Sequence, residues 1–488
     1  MKKKSLLFAA LIAMQAVSVQ AAVGDQFVDD GLQFTVLTES ESGNTVNVGH
    51  IDYDYTLSGD VVIPASITHD GTEYSVTALA DNAFLLCSGI TSVSLPATIT
   101  QIGGDAFSFC YDLSAINVAA DNADFCSEDG ILFNKDKTML MACPKTKTGK
   151  YEVPQSVTQI WNHCFHSCRY LTEIVVPEGI NKIGTFAFFG CSSLTTMHIP
   201  SSASITVGSC LLGYCPSLES ITVGENNATA CSVDGVLYSK NMQQLNCYPP
   251  AKKGEIEIPE SVKIFVNLCF SKNASLTSFN LPAHVTQLNA CPFAACENLT
   301  ELSVDEANPS YCAIDGVLFN KAATSLVQFP AGRTGKYEIP EGVTTIANGA
   351  FRGCRLSSVV VPACVTTLAS YSLAYNNLKS VKFMSSIPPT SISNTIFLQN
   401  PEDMVVYVPA GSLDAYQKAM PFVKNFEEFD DSAAIEEISS DSGKQINFNE
   451  PYEVFDVNGK KMSSDFQKLS PGIYLVRQNG HSAKFVIK

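Results

Sequence analysis

Residues 158–177 read TQIWNHCFHSCRYLTEIVVP, and residues 181–200 read NKIGTFAFFGCSSLTTMHIP. Laid over one another at a shift of 23 residues, their apolar positions coincide. Ile160 falls on Ile183, Phe165 on Phe188, Cys168 on Cys191, Leu171 on Leu194, Ile174 on Met197, Val176 on Ile199 and Pro177 on Pro200. A unit this short buries one apolar edge and cannot do so alone. At about 1.5–3 kcal/mol per buried large side chain, stacking of successive units is what makes such a chain fold.

Working outward, the pattern recurs in nine copies. An aromatic or leucine anchor and the residue three after it run Phe84/Cys87, Phe107/Cys110, Phe165/Cys168, Phe188/Cys191, Leu212/Cys215, Phe270/Asn273, Phe293/Cys296, Phe351/Cys354 and Leu373/Asn376. A leucine or isoleucine follows, then a period-two strand, and often a proline that closes it. A fixed period of about 20–29 residues with an L-x-x-L-x-L core predicts a leucine-rich repeat solenoid, mainly β, with a parallel strand ladder.

The remaining segments fit around that core. Residues 22–62 predict a capping β-hairpin, Leu32–Leu37 paired with Thr45–Gly49, and residues 63–404 the solenoid. Longer units at 126–153, 231–258 and 312–339, each carrying Asp-Gly between apolar runs, predict inserted β-hairpins along one edge. Residues 405–429 predict a last strand and a short amphipathic helix over the open end. The polar stretch 430–444 reads as a linker, and 445–488 as a small β-sandwich-like module with Asn-Gly turns at Asn458 and Asn479.

Composition narrows the function classes. With 45% apolar and 16% charged residues, the chain is one that folds. Residues 1–21 have three lysines, a short apolar run and small residues at a cut site, which predicts a secretory signal peptide. Beyond it no stretch is apolar for the ~18 residues a membrane-spanning helix needs. Without Lys2, Lys3 and Lys4 the chain has 28 basic residues against 48 acidic ones, which disfavours nucleic acid and anionic membranes as partners.

The candidate sites are then weighed against the repeat register. Seventeen cysteines in an exported chain suggest disulfides by compartment. The register instead makes Cys87, Cys110, Cys168, Cys191, Cys215, Cys296 and Cys354 small core residues, replaced by Asn273 and Asn376 in two copies. Cys164 and Cys269 take positions that are mostly alanine elsewhere, while Cys143 and Cys247 could pair with Cys126 and Cys231; Cys312 would face Phe329. His163-Cys164-Phe165-His166-Ser167-Cys168 resembles a zinc box in isolation, but its cysteines belong to core positions and its histidines do not. No metal or other cofactor is expected. No nucleophile elbow, phosphate loop or zincin motif appears, so no catalytic residue is expected. Glu173 and Glu301 are the acids at inner strand positions and lie several coils apart, which argues against a glycosidase pair. What remains is the solvent face of the ladder: Ser94, Asn117, Val175, His198, Thr222, Asn280, Ser303, Val360 and Lys382. Such a face suits an extended partner, protein or glycan, bound by many weak contacts; it equally suits ordinary solvated sheet, and the runner-up is a structural, self-associating component of a surface assembly.

The recurring I-P-x-x-V-T-x-I-x-x-x-A-F-x-x-C-x-x-L-T-x-I-x-L-P pattern, seen in GVTTIANGAFRGC at 342–354 and SLPATITQIGGDAFSFC at 94–110, resembles the BspA-like leucine-rich repeat proteins of bacterial surfaces. The DGVLFNK inserts and the VPAGSLDAY stretch at 408–416 resemble the same family, over about residues 23–430. The resemblance implies a non-enzymatic adhesin whose partner is a host extracellular matrix protein or another surface macromolecule. In the tail, VFDVNGKKM, LSPGIYLVR at 469–477 and KFVIK resemble the C-terminal sorting domain of type IX secretion in Bacteroidota. That likeness implies a secretion-machinery partner and cell-surface placement. The module is short, with the strand expected between Phe448 and Tyr452 compressed to Asn449-Glu450-Pro451.

Overall fold

A computed structural model describes residues 22–40, 43–49, 56–206, 210–429, 435–440, 452–456, 460–463, 469, 472–478 and 481–487. The expected signal peptide, residues 1–21, and both expected Asn-Gly turns of the tail lie outside the described residues.

Each coil contributes one strand to a front ladder and a two-residue strand to a rear ladder, and both ladders are parallel. In front, Thr196–Ile199 pairs with Ser220–Val223 in the register Met197↔Ile221. Behind, Gln159–Ile160, Lys182–Ile183 and Ser204–Ile205 pair in succession, at offsets of 23 and 22 residues. Proline punctuates the corner between the two, because it cannot donate to the ladder. Its carbonyl accepts the N–H three residues on, as in Ile180 to Pro177 and Val285 to Pro282.

The core lies between the ladders. Ile160, Phe165, Cys168, Leu171, Ile174 and Val176 are all buried, and the anchor rings stack from coil to coil. Phe165 lies 5.4 Å from Phe188, Phe270 5.1 Å from Phe293 and Phe329 5.1 Å from Phe351. Offset stacking of this kind adds about 0.5–1.5 kcal/mol per pair beyond area burial.

The third face is a ridge of turns. In all nine copies two residues four apart adopt left-handed backbone: 82/86, 105/109, 163/167, 186/190, 210/214, 268/272, 291/295, 349/353 and 371/375. Only two of these pairs contain glycine, Gly190 and the Gly349/Gly353 pair, so most turns hold a side chain in a conformation costing about 1–2 kcal/mol. Cross-coil bonds such as Phe165 N–H to Ala187 O and Ser167 N–H to Phe189 O hold them there.

The inserts are larger than the expected strand pairs. Phe125–Glu128, Ile131–Asn134 and Met139–Ala142 form a three-stranded antiparallel meander, and the third strand starts a new rear ladder by pairing with Gln159–Ile160. The chain then re-enters the front ladder at Thr148–Glu152, so the last part of the unit is solenoid. The Ala230–Val233 and Tyr311–Ile314 units repeat the meander. All three turn at Asp-Gly with both residues at positive φ, the requirement of a type I′ hairpin. Asp30-Gly31 does the same, and Gln26–Asp29, Leu32–Thr38 and Thr45–Gly49 form the same meander. The N-terminal cap thus has three strands and the build of a fourth insert.

At the other end Val405–Pro409 and Phe426–Phe429 close the front ladder, with the helix Leu413–Ala419 between them. The stretch expected to be a linker contains a strand, Ile435–Ser440, which pairs antiparallel with His481–Ile487. Among the described residues the tail forms one four-stranded antiparallel sheet with a small core at Val454, Tyr474 and Val476, in place of the expected sandwich-like module.

Candidate binding surfaces

The front ladder places the expected face residues in register across coils. Ser94 pairs with Asn117, His198 with Thr222, Asn280 with Ser303, and Val360 with Lys382. Period-two alternation turns them outward while Val93, Ile116, Met197, Ile221 and Phe279 turn in. Asn117, Val175, His198, Thr222, Asn280 and Ser303 are exposed; Ser94, Val360 and Lys382 are half-buried. Neighbours bond across the strands, His198 Nδ1 with Thr222 Oγ1 at 2.9 Å and Ser303 Oγ to Asn280 Oδ1 at 2.9 Å. The Lys382 ammonium lies 3.7 Å from the centre of the Phe429 ring.

Strands following the inserts add charge that the repeat register did not announce. Glu152 and Glu338 stand beside Val175 and Val360, ion-paired at 2.9 and 2.8 Å to Lys150 and Lys336. Lys150 also reaches Glu173 at 3.5 Å. Glu173 and Glu301 lie in different sheets of the ladder.

Inside, the repeat cysteines share one partner type. The thiol of Cys110 points at Phe84 O (3.0 Å), Cys191 at Phe165 O (3.2 Å), Cys215 at Phe188 O (3.2 Å) and Cys296 at Phe270 O (3.1 Å). Cys87, Cys168 and Cys354 are buried at the same position. Asn376 donates to Phe351 O at 2.9 Å, whereas Asn273 uses its Oδ1 to accept from Ser275 and Leu276. Cys126, Cys231 and Cys312 donate to the carbonyl eight residues on, at 3.3, 3.4 and 3.2 Å. Cys143 is buried in the core, where Tyr248 and Phe329 stand in the other two inserts. All seventeen cysteines are unbridged.

The zinc-box residues are dispersed by the turn geometry. Cys164 and Cys168 are in the core, the His163 ring lies against Phe186 with Nδ1 2.8 Å from Asp105, and His166 packs between Phe109 and Phe189. Among the described residues no three His, Cys, Asp or Glu side chains are grouped as a metal site.

The turn ridge carries a cleft of about 510 Å³. It is lined from successive coils by a left-handed residue and the residue two beyond: Phe109 and Tyr111, Ser167 and Arg169, Gly190 and Ser192, Tyr214 and Pro216, Lys272 and Ala274, Ala295 and Glu297. Small residues in the middle coils open it, and aromatic rings wall it. Burial pushes the Tyr214 hydroxyl up to about 12. Sequence reading passed over this surface because ridge residues do not repeat in type. The available signal was Phe109-Cys110-Tyr111 and Ser167-Cys168-Arg169, bulky polar and aromatic groups flanking a core cysteine.

Among the described residues no helix is long and apolar enough to cross a membrane. A comparison with curated protein sequences returns no match. Among solved structures, the pneumococcal vaccine antigen PcpA is 19% identical over 84% of this chain and all of that one, with a TM-score of 0.38. A leucine-rich cell surface protein from Faecalibacterium prausnitzii is 22% identical, covering 74% of this chain and 95% of that one, TM-score 0.37. A leucine-rich repeat protein from Bacteroides ovatus is 21% identical over 83% of this chain and 99% of that one, TM-score 0.30. The model of the BspA type leucine-rich repeat region matches residues 65–129, 141–249, 246–332 and 327–442, most of the chain, and the protein belongs to that family.

Proposed function

We propose that the protein is an exported, adhesin-like binding protein of a bacterial surface that recognises a host matrix protein or another surface macromolecule through its front ladder. The observation that supports this reading is the file of outward side chains from Ser94 to Lys382, spaced by coils and mostly polar, with His198 bonded to Thr222 and Ser303 to Asn280 across strands. Side chains held in this way lose little freedom on binding, which lowers the cost of many weak contacts to an extended partner. In this reading residues 1–21 direct export, and the C-terminal sheet serves as a type IX sorting module that engages the secretion machinery. The test is binding of the chain to an array of host matrix proteins. Saturable binding lost in Asn280→Trp and Ser303→Trp is the expected result; binding indifferent to both removes the ladder from the argument.

A second reading makes the protein a self-associating component of a surface assembly. It is supported by Val233 and Ile314, 46% and 38% exposed at the same position of two insert hairpins. Concentration-dependent association abolished by Val233→Lys and Ile314→Lys, with silence on the array, favours it.

A further inference from the structure

We propose that the cleft on the turn ridge is a second binding site, and that its ligand is an anionic saccharide bearing a carboxylate or a sulfate. This goes beyond the front-face reading, because it concerns a different face and holds whether or not the ladder binds anything.

Charge is the first argument. Acids outnumber bases 48 to 31 in this chain, so a group of cations without acids runs against its overall charge. Among the described residues two guanidiniums, one lining this cleft and one behind it, have no acid partner. Arg169 lies flat over Tyr111, 3.6 Å from the ring centre. Arg352, just behind the Tyr214 wall, is set among Tyr214, Tyr371 and Tyr375 at 5.6, 5.2 and 4.5 Å, with a buried Nε that has no hydrogen-bond partner. Among the described residues neither is ion-paired. The third cation, Lys272, is matched by Glu297 at 2.8 Å. The lining, with Arg169 and Lys272 against Glu297, is net positive within an acidic protein, Arg352 adds a further positive charge behind it, and stacking leaves the N–H edge of Arg169 for an oxyanion.

Shape is the second. A volume of about 510 Å³ falls in the range of small-molecule sites and is too small for a folded partner. Phe109 and Tyr111 wall one end, Phe189 and Tyr214 stand in the middle coils, and Ser167 and Ser192 bring hydroxyl groups beside them. A pyranose ring has an apolar C–H face and a rim of hydroxyls. Aromatic faces with hydroxyl groups between them suit both at once.

Backbone geometry is the third. The lining residues are fixed by left-handed turns at φ between 54° and 74°, tied to the coils on either side. The cleft is thus formed before any ligand arrives, which reduces the ordering cost of binding.

The test is titration calorimetry of the full chain with 3′-sialyllactose, a heparin-derived tetrasaccharide and neutral maltotriose. The expected result is saturable binding of at least one anionic sugar, at least tenfold weaker in Arg169→Gln and abolished in Ser192→Trp, with maltotriose weaker by a similar factor. Binding of the sialyl or the heparin sugar tells whether carboxylate or sulfate is read. Ala274→Trp is the second blocking variant should Ser192→Trp fail to fold, and near-UV circular dichroism checks both. No binding of either anionic sugar, maltotriose bound equally well, or binding unchanged by Arg169→Gln and the blocking variants overturns the proposal. None of these outcomes alters the matrix-protein result, which depends on Asn280 and Ser303.

Discussion

Asn376 donates its side-chain amide to the Phe351 carbonyl at 2.9 Å, one coil back, just as the Cys296 thiol points at the Phe270 carbonyl at 3.1 Å. In these two coils the position takes a small donor that fits under the strand, and Asn273 shows that a small polar side chain also fits as an acceptor; sulfur chemistry is not what it selects. Cys296→Ala should therefore lower stability by about 1–2 kcal/mol, through a small cavity and a lost weak bond. Cys296→Asn should stay within about 1 kcal/mol of the parent, while Cys296→Leu should cost more by overpacking. Urea unfolding followed by far-UV circular dichroism ranks the three, and Asn ranking beside Leu would refute the equivalence.

Asn308 makes a different kind of contact. It is 1% exposed, donates to Pro282 O and Val285 O at 2.9 Å, and accepts from the Ser310 and Tyr311 amides at 2.9 and 3.0 Å. Asn122 and Asn227 do the same at the other two inserts. Each ties the start of a meander to the preceding proline corner. Asn308→Ala leaves several buried backbone groups unpaired and should cost about 2–4 kcal/mol. Amide hydrogen exchange should quicken across Tyr311–Ile314 and Val317–Asn320 and stay unchanged at Ser58–Val62. Uniform acceleration along the chain would contradict a local clamp.

These two cases mark what was legible in the sequence. Residues facing the core repeat because every coil meets the same neighbours, so Phe165, Cys168 and Leu171 announced the solenoid. Asn122, Asn227 and Asn308 also repeat, but only once per insert, and buried asparagine reads as loop until its four partners are seen. The strand Thr148–Glu152 was assigned to an insert because its pairing partner, Tyr170–Val175, is set by the path of the meander and not by local pattern. The Ile435–Ser440 strand was hidden by its polar residues, since an antiparallel partner supplies what its side chains do not. Ridge residues face solvent, so nothing forces them to repeat, and the cleft they form appears only when the coils are stacked.

Thiol reactivity tests burial directly. Burial pushes Cys110, Cys215 and Cys296 up to about 12, far from thiolate formation at neutral pH. Cys126, Cys231, Cys312 and Cys364 are the half-buried ones. Native protein should titrate about four of its 17 thiols with Ellman's reagent, and all 17 in denaturant. Cys364→Ser should remove one fast-reacting group. Fewer than 17 in denaturant without reductant would reveal disulfides in the exported protein.

Acid should destabilise the fold through His166. This imidazole is 3% exposed, stacked on Phe189 at 5.0 Å, with Nδ1 on Ser167 Oγ at 2.9 Å. Burial above all, then the Lys145 and His163 charges, hold its proton affinity well below the ordinary value of 6.5. The sign follows from linkage: below about pH 6.5 the unfolded chain takes up a proton that the native ring refuses, so stability falls with falling pH, by up to about 1.4 kcal/mol per unit. The loss continues until the native ring itself is protonated. Lys145 sharpens this. It is 2% exposed, and the other inserts place Pro250 and Ala331 there. Lys145→Met should raise stability at pH 7, since a buried ammonium is exchanged for an apolar chain of similar length. It should also lessen the acid loss by removing a cation that opposes His166 protonation. His166→Phe should flatten the pH dependence between 5 and 7 whatever it does to the midpoint. Urea midpoints at pH 5, 6 and 7 for parent, Lys145→Met and His166→Phe decide the matter, and an unchanged slope in His166→Phe would assign the acid sensitivity to another group.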